Sequence, residues 1–304
     1  MGGWIVWCTS AVFFTTATNQ VCCGKTIAMD TATDAVDDSY AACRQNMLDA
    51  ILGEEGLLQS ELNNVDNIHS SLFMTAWSSP VTCPYQVPEG LPEHVRALQA
   101  FGNTHKFARV FNAAIRDKGS DVSVYTDQFQ FKSLHFLLMD AMRLLNNGSR
   151  CQTVFAGSFD LYTADTGARV RFGEFLSADR RREEAEEGCA GEGGTLFEIR
   201  SCSVVDVQEH ACQPENTNLL ISPVELFRVE EETDGEECDQ EIKLTSIGFH
   251  SNHDCYLFPT SAAPVPATVA MAPSTSSARG TSIMWLNPHS LLLLVTALHF
   301  WSCG

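Results

Sequence analysis

The chain has 304 residues, 44% hydrophobic and 19% charged, an ordinary balance for a globular fold and too apolar for a disordered one. Its 38 acidic side chains against 19 basic ones give a formal net charge of -19. Such a surface repels nucleic-acid phosphates, whose binding rests on Lys and Arg displacing counterions, so no nucleic-acid partner is expected.

Residues 1–24 read as a signal peptide. Trp4 to Val21 is apolar, diluted by Thr and Ser, with small residues near Ala17 for cleavage, although a basic leader is missing. One domain is expected over residues 25–258, and its first half reads helical. Asp37–Leu62 carries apolar residues at helical spacing, broken near Gly53 and Gly56. Leu91–Phe101 and Lys106–Arg116 follow, the second closed by Gly119. Phe131–Gly148 has a broad apolar face and predicts a buried helix. The Asn147-Gly148-Ser149 triplet that ends it is an N-glycosylation sequon, with Asn147 as acceptor.

The second half reads as short strands: Thr153–Gly157, Val170–Phe175, Thr195–Cys202, Leu219–Ser222, Val224–Val229 and Ile242–Ile247. A charged run, Asp179–Glu187, predicts a solvated helix between them. Helices first and strands afterwards give an α+β class, a helical N-terminal half packed on a strand-rich C-terminal half. No Gly-x-Gly-x-x-Gly follows a strand, so the dinucleotide-binding fingerprint is missing.

Residues 259–282 are rich in Pro, Ala, Ser and Thr and read as a stalk. Residues 283–304 end in the apolar run Leu291–Trp301, shorter than the roughly 20 residues a membrane-spanning helix needs. No Lys or Arg follows Arg279 to anchor a cytoplasmic end. Small residues, a polar spacer and a hydrophobic terminus form the pattern of a glycosylphosphatidylinositol signal. Attachment is expected at Ser276, which places the protein on the extracellular face of the plasma membrane, with plain secretion as the alternative.

Twelve cysteines are too many for a compartment kept reduced by glutathione. Cys8, Cys22, Cys23 and Cys303 fall in the segments that processing removes, leaving Cys43, Cys83, Cys151, Cys189, Cys202, Cys212, Cys238 and Cys255. An even number predicts a disulfide framework, but spacing alone does not choose the pairs. Zinc is disfavoured, because no Cys-x-x-Cys occurs and the one close His pair is His250 and His253.

Seven segments, in order, resemble the arginine-specific mono-ADP-ribosyltransferases of vertebrate cell surfaces and their secreted relatives. They are MDTATDAVDDSYAAC from Met29 to Cys43, FNAAIR from Phe111, FKSLHFLL from Phe131, CQTVFAG from Cys151, VRFGEFLS from Val170, TLFEIRSC from Thr195 and LLISPVELF from Leu219. The resemblance implies the ADP-ribosyltransferase fold, NAD as substrate, arginine acceptors on surface or extracellular proteins, and no metal. It also implies disulfides Cys43–Cys255 and Cys151–Cys202, leaving Cys83, Cys189, Cys212 and Cys238 for one or two further bridges.

In that family an Arg holds the pyrophosphate of NAD by charge-assisted hydrogen bonds, and a Ser holds the nicotinamide-side ribose. Of a Glu-x-Glu pair, the second stabilises positive charge as nicotinamide leaves, and the first orients the acceptor arginine and takes its proton. This chain departs from that signature. Ala156 stands at the Arg position, with Gly157 kept beside it as a cofactor-site residue. Ser177 is kept, but Ala178 and Asp179 replace the next two residues of a Ser-Thr-Ser segment. Asn216 and Asn218 stand at the two Glu positions, and Glu215 is one residue out of register, on the opposite face of a strand.

Losing one such group costs roughly 10²–10⁴ in rate. The resemblance with these losses points to a binding protein on a transferase scaffold, with NAD binding in doubt. The alternative is an active transferase or NAD glycohydrolase with a compensated site, Glu215 or Glu209 supplying the carboxylate and Arg169 or Arg171 the phosphate contact.

Overall fold

A computed structural model describes residues 25–64, 68–79, 86–102, 105–146, 150–189, 194–207 and 219–258. The first half is helical: α1 (Arg44–Ile51), α2 (Leu57–Leu62), α3 (Ile68–Trp77), α4 (Pro92–Gly102), α5 (His105–Asp117), α6 (Val122–Gln128) and α7 (Lys132–Leu145). Gly53 separates α1 from α2 by adopting a φ of +104°, a left-handed backbone that favours glycine. Asp121 starts α6 by accepting from the backbone N–H groups of Ser123 and Val124.

The seventh helix is the centre of this half and packs against α2 and α4. Leu134, Phe136, Leu137 and Leu138 are all fully buried, so the apolar face read in the sequence wraps most of its circumference. Phe73, Phe107, Phe111 and Phe131 surround its start, with Phe111 edge-on to Phe131 at 5.6 Å between ring centroids. The buried carboxylate of Glu61 accepts from the backbone N–H groups of Lys132 and Ser133 at 2.8 and 3.1 Å. An acceptor is needed there because the first N–H groups of a helix have no partner within it.

The second half holds β2 (Gln152–Ser158), β3 (Leu161–Thr163), β4 (Arg169–Val170), β5 (Leu176–Ala178), α8 (Arg182–Glu186), β6 (Thr195–Ser201), β7 (Val205–Asp206), β8 (Leu219–Ile221), β9 (Glu225–Asp234) and β10 (Gln240–Phe249). One sheet runs β2-β6-β10-β9-β4, antiparallel except for the parallel β6–β10 pair. A second runs β5-β8-β7, all antiparallel. The opening strand, β1 (Thr26–Ala28), lies parallel to β3. Between the sheets sits an apolar layer that includes Val154, Ala156, Ala178, Phe197, Leu219 and Ile221. The architecture is α+β in the order the sequence implies.

Several segments differ from their sequence reading. Asp37–Cys43 is not helical, because Asp37 and Asp38 are buried and spend their oxygens on other segments. Asp38 accepts from the N–H groups of Tyr40, Cys255 and Tyr256. Asp37 pairs with Arg171 Nη1 at 2.7 Å and with His253 Nδ1 at 2.6 Å. Val170–Phe175 is not one strand: pairing with β9 stops at Val170, and Arg171 turns inward to Asp37.

The charged run is also more than a solvated face. Ala185 of α8 is buried, and Arg182 forms a two-point contact with Glu241 of β10 at 2.9 and 2.6 Å. Helices α3 and α6 and strands β1, β3, β5 and β7 have no counterpart in the sequence reading.

Three disulfides occur among the described residues: Cys43–Cys255, Cys151–Cys202 and Cys189–Cys238. The first closes the domain's beginning on its end, beside the Asp37 and Asp38 contacts. The third ties the end of α8 to the β9–β10 turn, and its sulfurs pack with Ala185 and Leu196.

Candidate active site

The two sheets meet edge to edge where the resemblance places the chemistry. Phe155 N donates to Asp179 O at 2.9 Å, and Asp179 N donates to Phe155 O at 2.7 Å. This bridge joins β2, at one edge of the larger sheet, to the segment leaving β5. Ala156 follows Phe155 and Ala178 precedes Asp179, so the bridge brings the two alanines together in the inter-sheet layer. Ala156 is 2% exposed and Ala178 1% exposed. Its methyl group thus occupies an apolar layer, with Val154, Phe197 and Leu219 in the same cluster.

Gly157 has a structural reason for being glycine. A Cβ there would collide with the backbone carbonyl of Ala185, so the close approach of α8 to β2 requires the missing side chain. Ser177 is exposed on β5, opposite Leu220 of β8. Asp179 alternates with the buried Ala178, which puts it on the Ser177 face. Its carboxyl is pushed up to about 6, first by burial and then by the nearby charges of Glu184 and Glu187. The sequence offers Asp179 in two ways, as a replaced serine and as the start of a solvated charged run. The signal was present in the acidic residues of the following helix, but only the fold brings their charge to bear on it.

Asn216, Asn218, Glu209 and Glu215 lie outside the described residues, as do Asn147, Ser276, Cys83 and Cys212. Strand β8 begins at Leu219, immediately after Asn218, and pairs there with Ala178.

The two arginines considered as substitutes for the phosphate contact are accounted for differently. Arg171 is spent: its guanidinium is fully buried and donates to Asp37, to the carbonyls of Thr31 and Ala32, and to that of His250 at 2.6 Å. It holds the N-terminal segment and cannot also clamp a phosphate, so that expectation is corrected. Arg169 is exposed but lies on β4, at the opposite edge of the five-stranded sheet from Ala156, beside Arg228 of β9. Arg180, next to Asp179, is paired with Asp206.

A pyrophosphate carries two negative charges and is held by cations and N–H groups aimed at it. Around the bridge stand a buried methyl group, an exposed hydroxyl, the carboxylates of Asp179, Glu184 and Glu187, and the guanidinium groups of Arg180, Arg181 and Arg182. Among the described residues, the arginines nearest the bridge are each paired with a carboxylate.

The two close histidines, His250 and His253, are also committed. His250 Nε2 meets Asn252 Oδ1 at 3.1 Å, and His253 is held by Asp37. No group of three or more His, Cys, Asp or Glu side chains is gathered for a metal among the described residues.

Residues 29–252 match the sequence profile of the family described as NAD:arginine ADP-ribosyltransferase. The chain is 32% identical over 245 residues to human GPI-linked NAD(P)(+)–arginine ADP-ribosyltransferase 1, covering 75% of this chain and 74% of the relative. It is 29% identical over 253 residues to mouse ecto-ADP-ribosyltransferase 4, covering 79% and 81%. Its fold is similar to the crystal structure of the eukaryotic mono-ADP-ribosyltransferase ART2.2, with a TM-score of 0.62 and 28% identity, covering 75% of this chain and 98% of the other. A mutant of that enzyme solved in complex with NAD is similar to the same degree, with a TM-score of 0.62.

Proposed function

The chain belongs to the NAD:arginine ADP-ribosyltransferase family, and from that premise we propose that it is a cell-surface member whose transferase chemistry is weak or lost, acting by binding. The observation that carries this reading is the state of Ala156. The position to which the resemblance assigns the phosphate-holding arginine is a methyl group 2% exposed in an apolar layer. Asparagines at residues 216 and 218 add to it, since an amide carries no charge for an oxocarbenium-like transition state and takes no proton near neutral pH.

The reading extends to location. Residues 1–24 serve as signal peptide, 25–258 as the transferase-like domain, 259–282 as a stalk, and 283–304 as a signal exchanged for a glycolipid near Ser276. Support comes from the tail sequence and from the human relative's description as GPI-linked. Among the described residues no helix is long and apolar enough to cross a membrane. Asn147 carries glycan in this reading, and partners are proteins at or near the cell surface.

One observation favours the second reading, a compensated site that transfers or hydrolyses. Asp179 is a half-buried carboxyl pushed up to about 6 on the face that carries Ser177. A carboxyl in that range is a competent acid or base, and as a carboxylate it can stabilise a nearby cation.

Incubation of the purified protein with labelled NAD and an arginine-rich acceptor separates the readings. The expected result is neither labelled arginine nor free ADP-ribose above background. Labelled arginine would establish a transferase and free ADP-ribose a hydrolase, with Asp179→Asn the first variant to examine in either case.

A further inference from the structure

At the N-terminal edge of the domain, β1 is held on β3 by contacts that start at Lys25, the first described residue. Lys25 N donates to Asp160 Oδ1 at 2.9 Å, and Leu161 N donates to Lys25 O at 3.0 Å. The parallel ladder then runs Thr26–Leu161, Ile27–Tyr162 and Ala28–Thr163. The first residues of a domain stay ordered only where they are tied down, and this tie is short.

Lys25 and Asp160 both line a cavity of about 420 Å³ whose charge is one-sided. Asp30, Asp34, Asp117, Asp160 and Glu174 line it against Arg116 and Lys25, while Arg171 is matched by Asp37. Five negative charges against two positive leave three without a counter-charge among the lining residues. Glu174 and Tyr162 feel that excess. Burial raises the Glu174 carboxyl, its partner Arg116 draws it back, and the charge of Asp160 raises it again. The Tyr162 hydroxyl is pushed up to about 12 by burial and then by the charges of Glu174 and Asp160.

A backbone amide at Lys25 brings Asp160 one hydrogen bond and no charge. A chain terminus there brings an ammonium, with a full positive charge and three donors. The preceding sequence suits such a terminus. Gly24 is the kind of small residue that stands before a signal-peptide cut. A cut near Ala17 would instead leave Cys22 and Cys23 in the exported chain.

We propose that export cleaves the chain between Gly24 and Lys25, and that the α-ammonium released at Lys25 docks on Asp160 as an ion pair that fastens β1 to β3. Hydrolysis of that peptide bond takes up one water and leaves a carboxylate on Gly24 and the ammonium on Lys25. The proposal rests on the reading of residues 1–24 as a signal peptide, and it makes their removal a step in completing the fold as well as in transport.

Mass spectrometry of the protein exported from animal cells gives the first residue, and Lys25 is expected. Thermal melts then compare four forms: this protein, its Asp160→Asn variant, and both again with Gly-Ser placed before Lys25 behind a foreign signal peptide. Asp160→Asn is expected to lower Tm by about 1–3 °C in the processed protein, the scale of an exposed ion pair. It is expected not to lower Tm in the extended form, where Asp160 meets an amide and its charge repels Glu174. An exported chain that starts at another residue, or the same loss of Tm in both forms, would overturn the proposal. A chain that keeps Met1 would overturn the signal-peptide reading along with it.

Discussion

Phe155 and Asp179 exchange a reciprocal pair of backbone hydrogen bonds, at 2.9 and 2.7 Å, and thereby weld the edges of two sheets. The weld sets Ala156 and Ala178 in one apolar layer. It follows that Ala156→Arg alone would lower stability by roughly 3 kcal/mol, the range for placing an unpaired charge in a packed layer. Denaturant unfolding measures the change. A variant as stable as the parent would mean that the arginine finds a polar exit, and the site would then be open to charge after all. Activity of the triple variant Ala156→Arg, Asn216→Glu, Asn218→Glu should accordingly be sought at low temperature, where the destabilised fold persists.

Gly157 has two competing explanations, packing and room for a bound molecule. Packing against Ala185 predicts that Gly157→Ala displaces α8 and costs roughly 2 kcal/mol, the usual scale for overpacking. The loss would appear in a thermal melt without any ligand present. An unchanged melting temperature would return Gly157 to the role of making room for a bound molecule.

Two buried groups oppose one another in the response to acid. Burial pushes Glu61 from 4.5 up to about 7 despite its hydrogen bonds from Ser133 and Lys132. With the folded value raised, its stabilising contribution is full below 4.5 and is lost as pH rises toward 7. Burial pushes His135 from 6.5 down to about 4. With the folded value lowered, its contribution is full above 6.5 and is lost as pH falls toward 4. Glu61→Gln mimics the protonated acid and removes the first term. Between pH 7 and pH 5 that variant should lose roughly 2 kcal/mol more than the parent, by the value of a pKa unit. Chemical denaturation at the two pH values gives the difference, and parallel curves would show that Glu61 ionises normally in the fold.

The tail reading has its own test. Expressed on animal cells, the protein is expected to leave the surface on treatment with a phosphatidylinositol-specific phospholipase. Mass spectrometry should recover no peptide containing Trp301. Retention after treatment together with an intact Trp301 peptide would reject the lipid anchor.

The elements with strong periodicity were legible in the sequence. The helix at Phe131–Gly148 is α7, and the strand at Thr195–Cys202 is β6. Each has a long apolar pattern that only one kind of element satisfies. The strand at Val170–Phe175 was not legible, because Arg171 reads as a surface charge until Asp37, far away in sequence, is seen beneath it. Strands β1 and β3 are three residues each and exist through pairing with one another, which no local window contains.

At the site, the positions of Ala156 and Ser177 could be read from the motif resemblance, but their surroundings could not. Burial of Ala156 depends on the bridge that joins β2 to the end of β5, and the raised carboxyl of Asp179 depends on where α8 lands. Of the ion pairs at Asp140, only the i,i+3 one with Arg143 was legible in the sequence, since Arg44 and His94 meet it from α1 and α4.

The closure of the chain's beginning on its end governs the order in which the protein can be completed during synthesis. Asp37 and Asp38 are made early, yet their partners His253, Cys255 and Tyr256 come more than 200 residues later, and the Cys43–Cys255 link spans 212 positions. Until those last residues are made, the two carboxylates lack the C-terminal partners that seal them in, and Cys43 lacks its own. A ribosome stalled before residue 250 would thus hold a nascent domain still open at its N-terminal seam. The last few residues of the domain to emerge act as its latch.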